Sequence, residues 1–162
     1  MLGPAPFRFE LQAEKVEGAA FSVAFKTLTC AVVLICGYWL LSLWLQGKFG
    51  GAANLEGLRI AGWFILGWGL LACTAWFVVI SRIRLDTTGI TQSWMWTKHF
   101  DFDDLAVAQP IRVRGLEWLI APRLYVRTLA GKFSVFYVSD TTVLLVMERL
   151  SLELKAFRQM EI

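Results

Sequence analysis

At 162 residues the chain has room for one modest domain, yet 57% of it is hydrophobic, with eight Trp and twelve Phe, and only 18% is charged. That composition excludes a disordered chain and is foreign to an ordinary soluble domain, while a net charge of +3 drawn from 16 basic and 13 acidic residues leaves no excess for gripping a polyanion. The apolar surplus must be placed in surroundings that are themselves apolar.

In chain order, Phe7, Phe9 and Leu11 alternate with Arg8, Glu10 and Gln12. This period of two predicts a short half-buried strand, with an amphipathic helix as the rival reading. Ala13 to Thr27 carries Glu14, Lys15 and Glu17 early and has no Pro, which predicts a helix leading into the first apolar block. Leu28 to Leu45 and Ile60 to Ile80 then contain no Asp, Glu, Lys, Arg or His. At about 1.5 Å per residue these blocks reach roughly 27 and 31 Å, matching the hydrocarbon core of a bilayer. The rest of the sequence offers no helices to bury them on all sides, so a two-helix transmembrane hairpin over residues 28–80 is expected. The first block comes after 27 mixed residues with no short basic leader, and a cleaved signal peptide is not expected.

Arg8, Lys15 and Lys26 precede the first block and Arg82, Arg84 and Lys98 come after the second, whereas the connection from Gln46 to Arg59 holds only Lys48 and Arg59. That bias predicts both termini on the cytoplasmic side, with Trp44 and Trp63 at the outer interface. Gly47, Gly50, Gly51, Gly57 and Asn54 predict an exposed turn between the spans. Gly37 in the first span and Gly62, Gly67, Gly69 and Cys73 in the second are small enough to let helix backbones approach, and self-association through the same faces is the other use of such residues. Cys30, Cys36 and Cys73 read as apolar packing residues, with no disulfide or zinc site expected. Neither span carries an ionisable group, which argues against a transport path through this chain alone.

From Ser81 onward the pattern shortens. Ile83 and Leu85 alternate with Arg82 and Arg84, Thr87 to Gly89 make a turn, and Ile90 to Trp96 continues as a strand, so a hairpin is expected. Phe100 and Phe102 alternate with Asp101 and Asp103, Leu105 to Val113 is interrupted by Pro110, and a second hairpin joins Leu124–Leu129 to Phe133–Val138 through Ala130, Gly131 and Lys132. Ser139 or Asp140 then caps a helix on which Val143, Leu144, Met147, Leu150, Leu154 and Phe157 recur at helical spacing. Glu148, Arg149 and Glu153 interrupt its apolar stretch and exclude a third span.

Residues 81–160, with IRLDTTGITQSWMW, TKHFDFDDLAVAQP, RLYVRTLAGKFSVFYVSD and the closing helix, resemble the bacterial pleckstrin-homology-like membrane proteins, including their YcxB-like relatives. The shared pattern is a strand and turn reaching a Gly, a strand entering a DDL corner, and a late hairpin turning on Gly131. The resemblance implies a small antiparallel β-barrel or sheet domain closed by a C-terminal helix, serving as an interaction or scaffolding module of the bacterial cytoplasmic membrane. Eukaryotic members bind phosphoinositide headgroups through basic residues of an early loop. The matching turn here, Asp86 to Gly89, carries an acidic residue and no Lys or Arg.

Catalytic constellations are not expected. His99 is the sole histidine and has no Cys in its own domain to complete a zinc site. Asp101, Asp103 and Asp104 lack the Gly-rich loop and bidentate Glu of a calcium site and read as a solvated strand face, so no metal and no cofactor is expected. After Ser81, 11 Lys and Arg are interleaved with 9 Asp and Glu without a basic stripe, which excludes nucleic acid as a partner. The segment Ile111 to Arg123 is the most suggestive: Arg112, Arg114 and Arg123 flank Trp118, Leu119 and Ile120. With Arg82 and Arg84 these residues could meet a bilayer surface with anionic headgroups or another membrane protein, or Trp118 to Ile120 could belong to the domain's own core.

The sequence thus predicts an α+β membrane protein with an N-terminal cytoplasmic strand and lead-in helix (1–27), a transmembrane hairpin (28–80) and a pleckstrin-homology-like β domain with a C-terminal helix (81–162). Three functions are expected in descending order. They are a non-enzymatic accessory or scaffold subunit of a membrane complex, a tethered lipid-headgroup sensor, and an enzyme resting on His99 and the aspartates.

Overall fold

The computed structural model describes residues 5–11, 14–50, 55–113 and 115–160. The chain forms two compact units, one from residues 24–79 and one from residues 1–23 and 80–162.

The first unit holds α1 (Val23–Leu45), the short α2 (Leu55–Ile60) and α3 (Gly62–Ile80). No residue of α1 is buried, and of α3 only Ala75 and Val78 are. Large apolar side chains such as Leu34 and Trp63 stand 72% and 81% exposed. At 23 and 19 residues, both helices are long and apolar enough to cross a membrane. They run antiparallel. Near the start of α1, Lys26 Nζ donates to the Val79 carbonyl at the end of α3 over 2.9 Å, placing a cation on the negative end of that helix. Midway, Trp68 Nε1 donates to the Val33 carbonyl over 3.0 Å, and at the far end the rings of Phe49 and Phe64 lie 5.4 Å apart. The span expected to begin at Ile60 begins instead at Gly62, because the chain turns at buried Ala61. Leu55 to Arg59, expected within an exposed turn, form with Ile60 a short helix of their own.

The second unit contains, among its described residues, seven strands, β1 (Lys15–Ala19), β2 (Arg82–Asp86), β3 (Gly89–Ser93), β4 (Thr97–Asp101), β5 (Leu105–Ile111), β6 (Arg123–Thr128) and β7 (Phe133–Tyr137), and then helix α4 (Thr141–Met160). The strands form two antiparallel sheets, ordered β1-β2-β3-β4 and β5-β6-β7. Alternation does the sorting: in β2, Ile83 and Leu85 are fully buried while Arg82 and Arg84 face out, and in β6 Leu124 and Val126 are buried beside exposed Arg127. Gly131 turns the β6–β7 hairpin at φ +80°, a conformation costly to any residue with a Cβ. Asp140 caps α4, its Oδ1 accepting the Thr142 and Val143 amides at 2.9 and 3.3 Å. Val143, Met147, Leu150 and Leu154, spaced by three and four, enter the core together with Phe136, Ile90 and Phe102. Side chains of α4 also occupy carbonyls of β5. Ser151 Oγ donates to Ala108 O over 2.7 Å and Arg158 Nη2 to Leu105 O over 2.9 Å, which shields an edge strand.

The N-terminal region departs from expectation. Phe7 and Phe9 are buried and Arg8 and Glu10 exposed, as the alternation requires, but the segment joins no sheet. Its two rings stack 6.5 Å apart, Phe7 also 5.5 Å from Phe157 and Phe9 5.5 Å from Phe102. The strand lies further on, where a helical lead-in was expected: Lys15–Ala19 pairs with β2 from Lys15↔Asp86 to Ala19↔Arg82, and helix starts only at Val23. An open edge of β2, more than sixty residues away, outweighs the modest helix preference of this stretch. Gly18 permits the arrangement, since a Cβ there would sit 2.5 Å from Asp140 Cβ and 2.8 Å from Val143 Cγ2. Residues 1–23 therefore belong to the β unit, and the helical hairpin is an insertion between two neighbouring strands.

Candidate functional site

Strand register defines two ends of the β unit. At one end lie the paired residues Ala19, Arg82, Ser93 and Thr97 of the first sheet and Ile111, Arg123 and Tyr137 of the second. Phe21 joins the sheets there, its ring 5.1 Å from Tyr137 and 6.5 Å from Trp94, and the Tyr137 amide donates to Gln92 Oε1 over 3.2 Å. Both connections to the helices leave from this end. The chain runs from Ala19 through Ala20, Phe21 and Ser22 into α1, and it returns from α3 through Ser81, whose hydroxyl donates to Ser93 O over 2.6 Å.

The loop after β5 hangs from the same end. Ser22 Oγ donates to Leu119 O over 2.9 Å, and Leu119 N and Ile120 N both return to Leu116 O at 3.0 and 2.7 Å, so the loop is a closed turn held against the first connection. Trp118 is 65% exposed and is no part of the core, while Leu119 and Ile120 are half-buried. Arg123 lies with its guanidinium 5.3 Å from the centre of the Tyr137 ring. Arg112 is drawn sideways into an ion pair with Glu148 of α4. Arg114 lies outside the described residues. Arg82 ends the row with a 72% exposed side chain 4.0 Å from Glu17, and Arg84, further along β2, stands 3.9 Å from Asp86. Arg82, Trp118 and Arg123 are thus brought to one end; Arg112 follows Ile111 there but pairs with Glu148, and Arg84 lies further along β2.

Residues that the sequence pattern concealed complete this end. Trp94, Met95 and Trp96 form the β3–β4 turn, where a continuing strand was expected after Ile90. Trp94 lies beneath, its ring 6.5 Å from both Phe21 and Trp96, while Met95 and Trp96 are 47% and 61% exposed. Three large apolar residues between two strands, with no Gly, Asn or Asp, was the available signal.

The opposite end carries the turn carboxylates, together with Lys15, Lys132 and two exposed apolar side chains, Leu129 and Phe133. Asp86 turns β2 into β3 by accepting the Thr88 hydroxyl at 2.6 Å and the Thr88 and Gly89 amides at 3.0 Å each, and these bonds, the hydroxyl first, hold its carboxyl below the usual range. The hydrogen bond from Lys15 does the same for Glu17. Asp101, Asp103 and Asp104 gather toward this end, and no group of three metal-ligating side chains occurs among the described residues. His99 bridges Thr91 Oγ1 at 2.8 Å and Asp101 Oδ1 at 2.9 Å, a cross-strand line on an exposed sheet face rather than in a cleft.

In the helical unit Gly37 makes close contact. A Cβ there would lie 2.9 Å from Trp68 Nε1, so the missing side chain admits the indole to the Val33 carbonyl. A Cβ at Gly62, Gly67 or Gly69 would meet nothing within 4 Å, and Cys73 is exposed, so packing between α1 and α3 does not account for these four. Trp63 is exposed, whereas Trp44 lines an apolar cleft with Leu40, Leu58 and Ile65. Comparison with protein-family models, with curated proteins and with solved structures finds no significant match.

Proposed function

We propose that this chain is a non-enzymatic, membrane-anchored interaction module, an accessory or scaffold subunit that presents its β unit to another integral membrane protein. In this reading α1 and α3 cross the bacterial cytoplasmic membrane with both termini inside, and the β unit is a pleckstrin-homology-like domain at the cytoplasmic face. One observation carries it: the apolar hairpin is inserted between β1 and β2, which are hydrogen-bonded neighbours. Two short connections through adjacent strands, in place of a single tether, support the reading of a domain that presents one of its faces at the bilayer. Two small antiparallel sheets and a C-terminal helix support this reading of the β unit.

The face on offer is the outer side of α4. Leu145 and Leu152, two helical turns apart, are 61% and 69% exposed, and Val107 of β5 is 44% exposed nearby in a groove lined by Leu152. Side chains that perform chemistry elsewhere are engaged here in exposed turn and cross-strand contacts, among them Asp86 and His99. The test is affinity purification of the tagged full-length chain in mild detergent, with sizing and mass spectrometry, beside a Leu145→Glu/Leu152→Glu variant. A stoichiometric membrane protein retained by the wild type and lost by the variant is expected. A particle containing this chain alone overturns the scaffold reading. It would shift weight to the second reading, a lipid-headgroup sensor, which the exposure of Trp118 and the presence of Arg123 at the same end of the β unit favour.

A further inference from the structure

We infer that the loop-bearing end of the β unit, with Met95 and Trp96 on one loop and Leu116 and Trp118 on the other, is seated in the headgroup layer of the bilayer. The inference rests on the reading of α1 and α3 as spans and adds to it a second, peripheral attachment made by residues outside the helices.

Placement is the first argument. Both chain connections leave the β unit at this end, through Ala20–Ser22 and through Ser81, and both loops are bonded to those connections: the Trp118 loop through Ser22 Oγ and Leu119 O, the Trp96 turn through Phe21 against Trp94 and Ser81 Oγ on Ser93 O. The links from this end to α1 and from α3 are three residues and one residue long.

Side-chain chemistry is the second. Met95, Trp96, Leu116 and Trp118 are 47%, 61%, 42% and 65% exposed at the tips of two loops, where turn formation would be better served by polar residues. An indole that is apolar over its face and carries one N–H donor is best placed at the boundary between acyl chains and headgroups. Charge is the third. Arg82 and Arg123 stand at this end with one loop carboxylate, Glu117, whereas Asp86, Asp101, Asp103 and Asp104 lie toward the other and outnumber Lys15 and Lys132 there. An anionic leaflet attracts the first and repels the second, so the field orients the domain the same way as its apolar tips. The occupant is therefore lipid, and a protein partner at this end is the competing outcome.

Full-length protein is placed in nanodiscs of mixed zwitterionic and anionic lipid, with Cys30, Cys36 and Cys73 replaced by Ala and single fluorophores attached at Met95→Cys, Glu117→Cys or Phe133→Cys, or at a retained Cys36. Labels at positions 95 and 117 are expected to be quenched by lipids spin-labelled near the headgroup and protected from aqueous iodide. The label at 133, on the opposite end, is expected to be open to iodide. Introducing Trp96→Gln and Trp118→Gln should strip the label at 117 of its protection. Iodide access at 95 and 117 equal to that at 133, with Cys36 still quenched by deep spin labels, overturns the inference and leaves the spans intact. Shielding of 95 and 117 from both quenchers assigns the end to protein and overturns it as well. A Cys36 label that no lipid quencher reaches removes the spans, and the inference with them.

Discussion

The two ends of the β unit are built on the same strands and finish them by opposite means. At the acidic end the turns obey local rules: Asp86 accepts three hydrogen bonds from the residues it turns, and Gly131 supplies a positive φ. At the other end Trp94–Trp96 closes β3 to β4 with large apolar side chains, and Trp118 caps a loop whose own backbone bonds would hold without it. Folding explains the residues of the first end. At the second, Met95, Trp96 and Trp118 are exposed, and the proposed bilayer contact accounts for them.

That contrast can be broken at several points. The largest effect is expected from Gly18→Val, whose side chain would collide with Asp140 and Val143 and force β1 from α4. A loss of about 2–3 kcal/mol is expected in urea titrations monitored by loss of β-sheet ellipticity. Asp86→Ala should cost about 1 kcal/mol, because three donors in the first turn lose their acceptor. The same carboxylate makes that difference depend on pH. Its folded pKa lies below the ordinary 3.8, so its contribution is fully present above that value and is lost as the pH falls through the lower folded value. Wild type and Asp86→Ala should therefore differ most near neutrality and converge in acid; a gap that widens on acidification would refute the assignment.

At the apolar end, Trp96→Gln with Trp118→Gln should leave the unfolding free energy in urea within about 0.5 kcal/mol of wild type while changing bilayer contact. A large stability loss would return these rings to the core. The smallest effect is expected from His99→Ala, which removes an exposed cross-strand bridge worth about 0.5 kcal/mol or less. A substantially larger loss would show that the Thr91–His99–Asp101 line has a role beyond the sheet.

Much of the fold was legible wherever partners are close in sequence. The β2–β3 hairpin could be read from Ile83 and Leu85 before a turn ending in Gly89, the β6–β7 hairpin from alternation around Gly131, and α4 from Asp140 and the spacing of Val143, Met147, Leu150 and Leu154. Lys15–Ala19 was misread as helix because Glu14, Lys15 and Glu17 without Pro satisfy helical preferences, and its partner β2 is brought within reach only by the hairpin between them. At the candidate surface, Trp118 and Arg123 were recognisable as residue types. Arg112 was not separable from them until Glu148 of α4 came beside it, and Trp94–Trp96 passed for the continuation of a strand.

Composition and periodicity alone determined that this chain carries two apolar helices of bilayer length and a set of short amphipathic strands followed by a capped helix, since those properties depend on neighbours a few residues apart. The tertiary structure decided that the hairpin interrupts a sheet, that Phe7 and Phe9 enter a core without a strand, and that two loops remote in sequence share one end. Each of these turns on pairings between residues tens of positions apart, chosen by burial and free strand edges rather than by local preference.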